Sequence, residues 1–146
     1  IKIKHITDTD MVTKLYQASK AGVKIDIVIR GNCSLVPGIK GLSENIRCVG
    51  IIDRYLEHSR ILIFANGGKP RYFLGSADWM PRNLLNRIEV LTPVYDEELQ
   101  ADLMRTISYG MRDTTNGRIV DGKGTNNFVE GEPFRSQQEL YKEYKK

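Results

Sequence analysis

The first strand, helix and strand of the sequence constrain the fold of this chain more than any other feature. Residues 1–4 alternate apolar and charged side chains, as a strand does. A helical pattern then begins at Asp8 or Thr9, either of which can cap a helix, and ends before Gly22. Residues 23–30 alternate again and are rich in isoleucine. Two strands joined by one helix over so short a stretch predict a right-handed parallel βαβ unit and an α/β fold.

The rest of the chain predicts more strands than helices. Strand patterns cover residues 46–52, 58–65, 71–75 and 87–91, and helical patterns cover residues 96–112 and 136–144. The loop of residues 31–45 leaves the carboxyl end of the second strand, where ligand crevices lie in α/β sheets. We therefore predict a single domain, with residues 1–112 as its core and residues 113–146 as a polar tail and a helix that pack on it.

The composition excludes several classes of protein. The 146 residues, of which 40% are hydrophobic and 27% charged, are enough for one core and too few for two. No apolar run approaches the roughly 20 residues of a membrane-spanning helix. Cys33 and Cys48 form no CxxC pair, so we predict a reduced, cytoplasmic protein without structural zinc. The net charge of +4 favours polyanionic partners.

A dense series of polar residues lies in the otherwise apolar middle of the chain. His58 and Arg60 stand two residues apart on the predicted fourth strand, so we expect both side chains on one face. Arg87 and Glu89 have the same spacing on the predicted sixth strand. The intervening polar residues are Ser76, Asp78, Arg82 and Asn83.

This order of residues resembles half of a phospholipase D active site. In that superfamily two such halves meet, a histidine carries out phosphoryl or phosphatidyl transfer, and Lys, Ser and Asn hold the phosphate oxygens. The sequence departs from that pattern, because Arg60 stands in place of Lys, Asp78 in place of Asn, and Ala65 where the aspartate of the motif would fall. These departures argue against phosphodiesterase chemistry.

A fuller resemblance is to the C-terminal domain of histidine-dependent polyphosphate kinases, and it covers nearly the whole chain. Several ungapped stretches carry it in the right order: AGVKID, VIRG, GLSENIR, RYLEHSR, SADWMPRNL, RIVD and PFRSQ. The resemblance implies a phospholipase D-like mixed sheet flanked by helices. It also implies ATP-dependent, reversible elongation of polyphosphate through a phosphohistidine, with Mg²⁺ present.

The resemblance further implies a division of labour between domains. In that family the phosphorylated histidine and the magnesium ligands belong to the preceding domain, so we expect this chain alone to be inactive. The positions that match nucleotide-contacting residues are Arg30 and His58. The implied partners are ATP or ADP, inorganic polyphosphate, the upstream domains and, at full length, further copies of the enzyme, whereas nucleic acid is not expected. Peripheral association of the full-length enzyme with a membrane stays open.

Elementary chemistry supports roles for Arg30 and His58 beside the resemblance. The planar guanidinium of an arginine at a strand end suits bidentate phosphate binding, although an edge arginine in solvent is the ordinary alternative. A histidine suits proton transfer near neutral pH, although most histidines are structural. We expect the other polar residues to support these two, and an ion pair between Arg60 and Glu89 could hold adjacent strands. Trp79 we assign to the core.

Two other functions remain open at this point. The chain could be a single-copy phospholipase D-like phosphodiesterase or nuclease that completes its site by homodimerisation, with His58 from two chains facing one pocket. It could also be a noncatalytic domain that binds polyanions through lysine and arginine, in a manner sensitive to salt.

Overall fold

A computed structural model describes residues 1–145 and contains one mixed sheet with helices packed against it. Within these residues the strands are β1 (Lys2–Ile3), β2 (Ile25–Ile29), β3 (Ile46–Ile51), β4 (Arg60–Phe64), β5 (Arg71–Gly75), β6 (Leu91–Val94) and β7 (Gly117–Val120). The α-helices are α1 (Thr9–Lys20), α2 (Pro81–Leu85), α3 (Glu97–Met111) and α4 (Ser136–Tyr144), with a short 3₁₀ turn at Asn66–Gly68. The strand order across the sheet is β6-β5-β4-β1-β2-β3-β7.

The parallel part of the sheet is the predicted βαβ unit and its neighbour. β1 pairs in parallel with β2, with Lys2 opposite Val28, and β2 pairs in parallel with β3. The remaining pairs are antiparallel: β1 with β4, β4 with β5, β5 with β6, and β3 with β7. The predicted βαβ unit is confirmed, and the carboxyl ends of β2 and β3 lie at one edge of the sheet.

Aspartate caps begin the two long helices where the sequence predicts them. The Asp8 carboxylate accepts a hydrogen bond from the Met11 backbone N–H at 3.0 Å, and the Asp96 carboxylate accepts one from the Leu99 N–H at 2.9 Å. Each cap satisfies an N–H that has no partner within the helix. After α1 the chain turns at Gly22, whose φ of +88° is costly for residues with a side chain.

The sheet buries apolar side chains on both faces. On the α1 face, Ile27 and Ile29 pack with Trp79 and Cys48, and on the α3 face Val28 packs with a second cluster. Because successive residues of β2 point to opposite faces, a strand covered on both sides must be apolar throughout its buried length. Trp79 is buried in the first cluster, which confirms its assignment to the core.

Two of the predicted strand boundaries are wrong. The fourth strand begins at Arg60, so His58 lies in the loop before it, and the two residues do not share a strand face. The sixth strand is Leu91–Val94, and residues 87–90 form an irregular segment that precedes it. Ile88 in that segment is fully exposed, so the alternating pattern there buries no apolar face.

The tail after α3 joins the sheet through a buried aspartate. The Asp113 side chain is fully buried, and its carboxylate accepts hydrogen bonds from the backbone N–H groups of Thr115, Asn116 and Gly117. The same carboxylate accepts the N–H and the hydroxyl of Ser136, at 2.8 and 2.6 Å. One side chain therefore fixes the end of α3, the start of β7 and the start of α4 relative to each other.

We predict that Asp113→Ala lowers the free energy of unfolding by about 3 kcal/mol, because a buried N–H left without an acceptor costs about 1 to 3 kcal/mol. Urea denaturation followed by circular dichroism measures the loss. The matched control is Asp121→Ala, since Asp121 accepts similar bonds from Lys123 and Thr125 at an exposed turn. An equal shift of the urea midpoint in both variants would contradict the role of Asp113.

Candidate functional site

The loop between β3 and β4, residues 52–59, is bound to the start of α4 by charged and amide groups. Asp53 and Arg135 form a bidentate pair, with Oδ1 to Nη2 at 2.6 Å and Oδ2 to Nε at 3.0 Å. The Gln137 side chain accepts the Tyr55 N–H and donates to the Tyr55 carbonyl, both at 2.8 Å. These contacts join residues 82 positions apart in the sequence and fix the first half of the loop.

The second half of the β3–β4 loop is bound to the sheet at Glu57. The Glu57 carboxylate lies 2.7 Å from Lys2 Nζ, and the two side chains are only 18% and 5% exposed. The Glu57 carbonyl accepts a hydrogen bond from Arg30 Nε at the carboxyl end of β2. The carbonyl of His58 accepts a hydrogen bond from Arg60 Nη1 at the start of β4. Three strands therefore fix the backbone around His58.

The structure brings Arg30 and His58 to the same short segment of the protein. Arg30 contacts the carbonyl of Glu57, which immediately precedes His58. The His58 side chain is exposed, and its imidazole makes no hydrogen bond to the part of the chain that the structure describes. Arg30 forms no ion pair with a carboxylate of those residues. Arg30 is thus held through its Nε and His58 through its backbone carbonyl. The Arg30 terminal nitrogens and the His58 imidazole are open to a ligand.

Arg60 and Asp78 form a buried ion pair, and Arg60 also donates a hydrogen bond to the His58 carbonyl of this segment. Arg60 Nη2 lies 2.9 Å from Asp78 Oδ2, and Arg60 Nε lies 3.1 Å from Asp78 Oδ1. Asp78 Oδ1 also accepts the N–H groups of Lys4 and His5. Burial is the largest single effect and opposes ionisation of Asp78, but the bonds and charge of Arg60 together with the N–H groups of His5 and Lys4 outweigh it and lower the pKa of the carboxyl. The predicted ion pair of Arg60 with Glu89 is wrong, because the Arg60 guanidinium is bound to Asp78 instead.

Ser76, Asn83 and Glu89 form a separate polar cluster. The Ser76 hydroxyl and the Asn83 amide donate to the two oxygens of Glu89, the amide at 2.8 Å. These bonds, with smaller effects of Arg87 and Arg60, hold the pKa of Glu89 below its usual range. Asn83 Oδ1 is buried and has no donor among residues 1–145. The prediction that Arg87 and Glu89 share a strand face is wrong, because residues 87–90 are not a strand.

Arg82 and Arg87 complete the set of residues predicted to support the site. Both side chains are exposed, and neither forms an ion pair with the described residues. The predicted site residues therefore form two separate groups, one around Glu57 and Asp78 and the other around Glu89. Arg82 and Arg87 belong to neither group and lie in solvent.

A cleft of about 410 Å³ opens beside Arg30 at the carboxyl ends of β2 and β3. Its polar lining comes from Arg30, Thr115, Asn116, Arg118 and Asn126, and Phe128 forms part of its apolar wall. We call it the arginine cleft. Sequence reasoning did not select Arg118 as a site residue, although the RIVD stretch that carries the family resemblance begins with it. A smaller cleft of about 240 Å³ shares Arg30, Ile51 and Ile52 with it and lies against the β3–β4 loop.

Residues 1–145 contain no group of three His, Cys, Asp or Glu side chains that could hold a metal ion. Among the same residues no helix is long and apolar enough to cross a membrane.

We predict that Asp78→Asn makes the acid side of the stability profile shallower. Because the pKa of Asp78 is lower in the folded state, its ionised carboxylate stabilises the fold above the unfolded pKa of about 3.9. This stability is lost as the pH falls through the folded pKa. Urea midpoints measured from about pH 6 down to about pH 3 test this slope. Asp26→Asn is the control, because its pair with Arg47 is exposed and such pairs contribute little. An unchanged slope in Asp78→Asn would contradict the account.

Comparisons with known proteins agree with the fold and the motifs. Residues 1–139 match the family model described as polyphosphate kinase C-terminal domain 2. The chain is 46% identical over 144 residues to a polyphosphate kinase of Vibrio vulnificus strain YJ016, covering 97% of the chain and 21% of that protein. It is 43% identical over 129 residues to the polyphosphate kinase of Escherichia coli K12, covering 88% of the chain and 19% of that protein.

A solved structure supports the same conclusion. The crystal structure of polyphosphate kinase from Porphyromonas gingivalis superposes with a TM-score of 0.92 at 41% identity, over 97% of this chain and 22% of that one. The predicted phospholipase D-like mixed sheet flanked by helices is confirmed, and these matches do not favour a homodimeric phosphodiesterase or a noncatalytic polyanion-binding domain. The chain spans about a fifth of the length of its curated relatives. It belongs to the family of polyphosphate kinase C-terminal domains.

Proposed function

We propose that this domain supplies phosphate-binding groups to a polyphosphate kinase, which transfers the γ-phosphate of ATP reversibly to polyphosphate. The support is that its relatives are named polyphosphate kinase and that the resemblance matches Arg30 and His58 to nucleotide-contacting positions. The phosphohistidine, in this proposal, forms in a preceding domain of the same polypeptide. The full-length enzyme is a homo-oligomer in the cytoplasm.

The observation that carries the proposal is the contact between Arg30 and the segment that bears His58. The Nε atom of Arg30 donates to the carbonyl of Glu57, which orients the guanidinium and leaves its two terminal nitrogens for a ligand. Phosphate oxygens match this planar fork in a bidentate manner. Because no carboxylate of the described residues neutralises Arg30, its charge remains available to an anion.

His58 acts in this proposal on the phosphate in transit. Its imidazole is exposed and unpaired within residues 1–145, while its carbonyl is held by Arg60. An exposed imidazole on a fixed backbone is free to donate a hydrogen bond, or a proton, to an oxygen of the phosphate. A different histidine forms the covalent intermediate.

Magnesium belongs to the proposed reaction but does not fit the residues of this domain. The acidic side chains nearest to the site are already bound to cations, Asp53 to Arg135, Glu57 to Lys2 and Asp78 to Arg60. No three potential ligands cluster within the described residues. We place the magnesium ligands in the preceding domain.

We predict that His58→Ala in the full-length enzyme lowers the rate of polyphosphate synthesis by about 10² to 10⁴, the usual cost of losing an acid-base group. His58→Gln should restore part of any function that needs only a hydrogen bond. Thermal unfolding should barely change in either variant, because the imidazole is exposed and makes no hydrogen bond to a described residue. Turnover above half of the wild-type rate in both variants, measured with ATP from pH 6 to pH 8, would refute the role of His58.

A further inference from the structure

The arginine cleft contains a second arginine, Arg118, on β7. We propose that Arg118 is a phosphate-binding residue and that, together with Arg30, it makes the arginine cleft a binding site for the linear phosphate chain. This inference rests on the proposed function and adds where on the domain the polyphosphate substrate lies.

Arg118 is held with its guanidinium in a fixed position. It lies on β7 opposite Gly50 of β3, which has no side chain to fill the space between them. The guanidinium carbon is 3.3 Å from the centroid of the Phe128 ring, and Nη1 donates to the Asn126 carbonyl at 3.1 Å. Stacking on an aromatic ring orients an arginine without neutralising its charge. The remaining N–H groups of Arg118 are free for an anion.

The charge of the arginine cleft is uncompensated. Arg30 and Arg118 both line it, no acidic residue does, and neither arginine forms an ion pair with the described residues. The side-chain amide of Asn126 also lines the cleft and can donate to phosphate oxygens, whereas the Thr115 hydroxyl already donates to the Phe134 carbonyl. Apolar walls around two like charges strengthen the field inside a cleft and concentrate anions there.

The lining favours a phosphate chain over the base of a nucleotide. The one aromatic ring in the arginine cleft is Phe128, and the guanidinium of Arg118 already covers a face of it. The other lining residues present aliphatic, amide, hydroxyl or guanidinium groups, so a base would have little flat surface on which to stack. A polyphosphate chain needs only repeated cationic and N–H contacts, which this cleft supplies.

The position of Arg30 connects the arginine cleft to the residues that act on the phosphate. Arg30 lines both this cleft and the smaller cleft against the β3–β4 loop, where Glu57 is also a lining residue. A chain bound at Arg118 would therefore reach Arg30, whose Nε contacts the Glu57 carbonyl next to His58. Arg118 is a binding residue in this arrangement and not a group that transfers protons.

The test is the reverse reaction of the full-length enzyme, in which ATP forms from ADP and long-chain polyphosphate. Arg118→Gln should raise the KM for polyphosphate by about 10- to 100-fold, the worth of a charge-assisted contact of this kind, with the KM for ADP unchanged. Arg118→Lys, which keeps the charge and loses the planar fork, should fall between the wild type and Arg118→Gln. The loss should be smaller with tripolyphosphate, which is too short to use the whole site.

The matched control is Arg112→Gln, because Arg112 also stacks on a phenylalanine, Phe134 at 4.6 Å, but does not line the arginine cleft. It should keep the wild-type KM for polyphosphate. The inference is overturned if Arg118→Gln, folded by circular dichroism, stays within twofold of the wild type, or if it raises the KM for ADP equally.

A second readout separates this inference from the proposed function. Equilibrium binding of fluorescently labelled polyphosphate to the full-length protein needs no turnover. A wild-type enzyme that binds polyphosphate through Arg118 but makes none from ATP would refute the proposed function and support the inference. An active wild type whose polyphosphate affinity is unchanged in Arg118→Gln and Arg118→Lys would refute the inference alone.

Discussion

The ion pair between Lys2 and Glu57 is the interaction on which the candidate site depends most. It joins the first strand to the second half of the β3–β4 loop, and surface loops are the mobile parts of most domains. Removal of one partner of a buried pair leaves the other charge without a counter-ion and costs about 3 to 5 kcal/mol, so Lys2 and Glu57 depend on each other. Since Arg30 binds the Glu57 carbonyl and His58 follows directly, the pair also sets the position of both proposed phosphate contacts.

The arginines of this domain divide into two groups by whether a carboxylate neutralises them. Arg60 and Arg135 are bound by Asp78 and Asp53 with bidentate geometry, and they fix the backbone. Arg30 and Arg118 make contacts only with backbone carbonyls or an aromatic ring, so their charge is left for a ligand. The modest net charge of +4 conceals this division, because the paired arginines add nothing to the field in the clefts.

Local patterns in the sequence predicted most of the fold and part of the site. Apolar periodicity and aspartate caps located α1, α3 and the βαβ unit, because those signals act over a few neighbouring residues. The start of β4 was predicted too early, and the sixth strand was displaced, since exposure of Ile88 depends on packing that no short window contains. The partner of Arg60 is 18 residues away, and that of Lys2 is 55 residues away, so neither could be read from spacing.

These features support the proposal that the domain binds and orients phosphate while another part of the enzyme forms the covalent intermediate. The most direct test is to incubate the full-length enzyme with ATP that carries a labelled γ-phosphate and to map the phosphohistidine by mass spectrometry under alkaline conditions. The account predicts a stable label on a histidine outside residues 1–146. Stoichiometric, stable phosphorylation of His58 would contradict it.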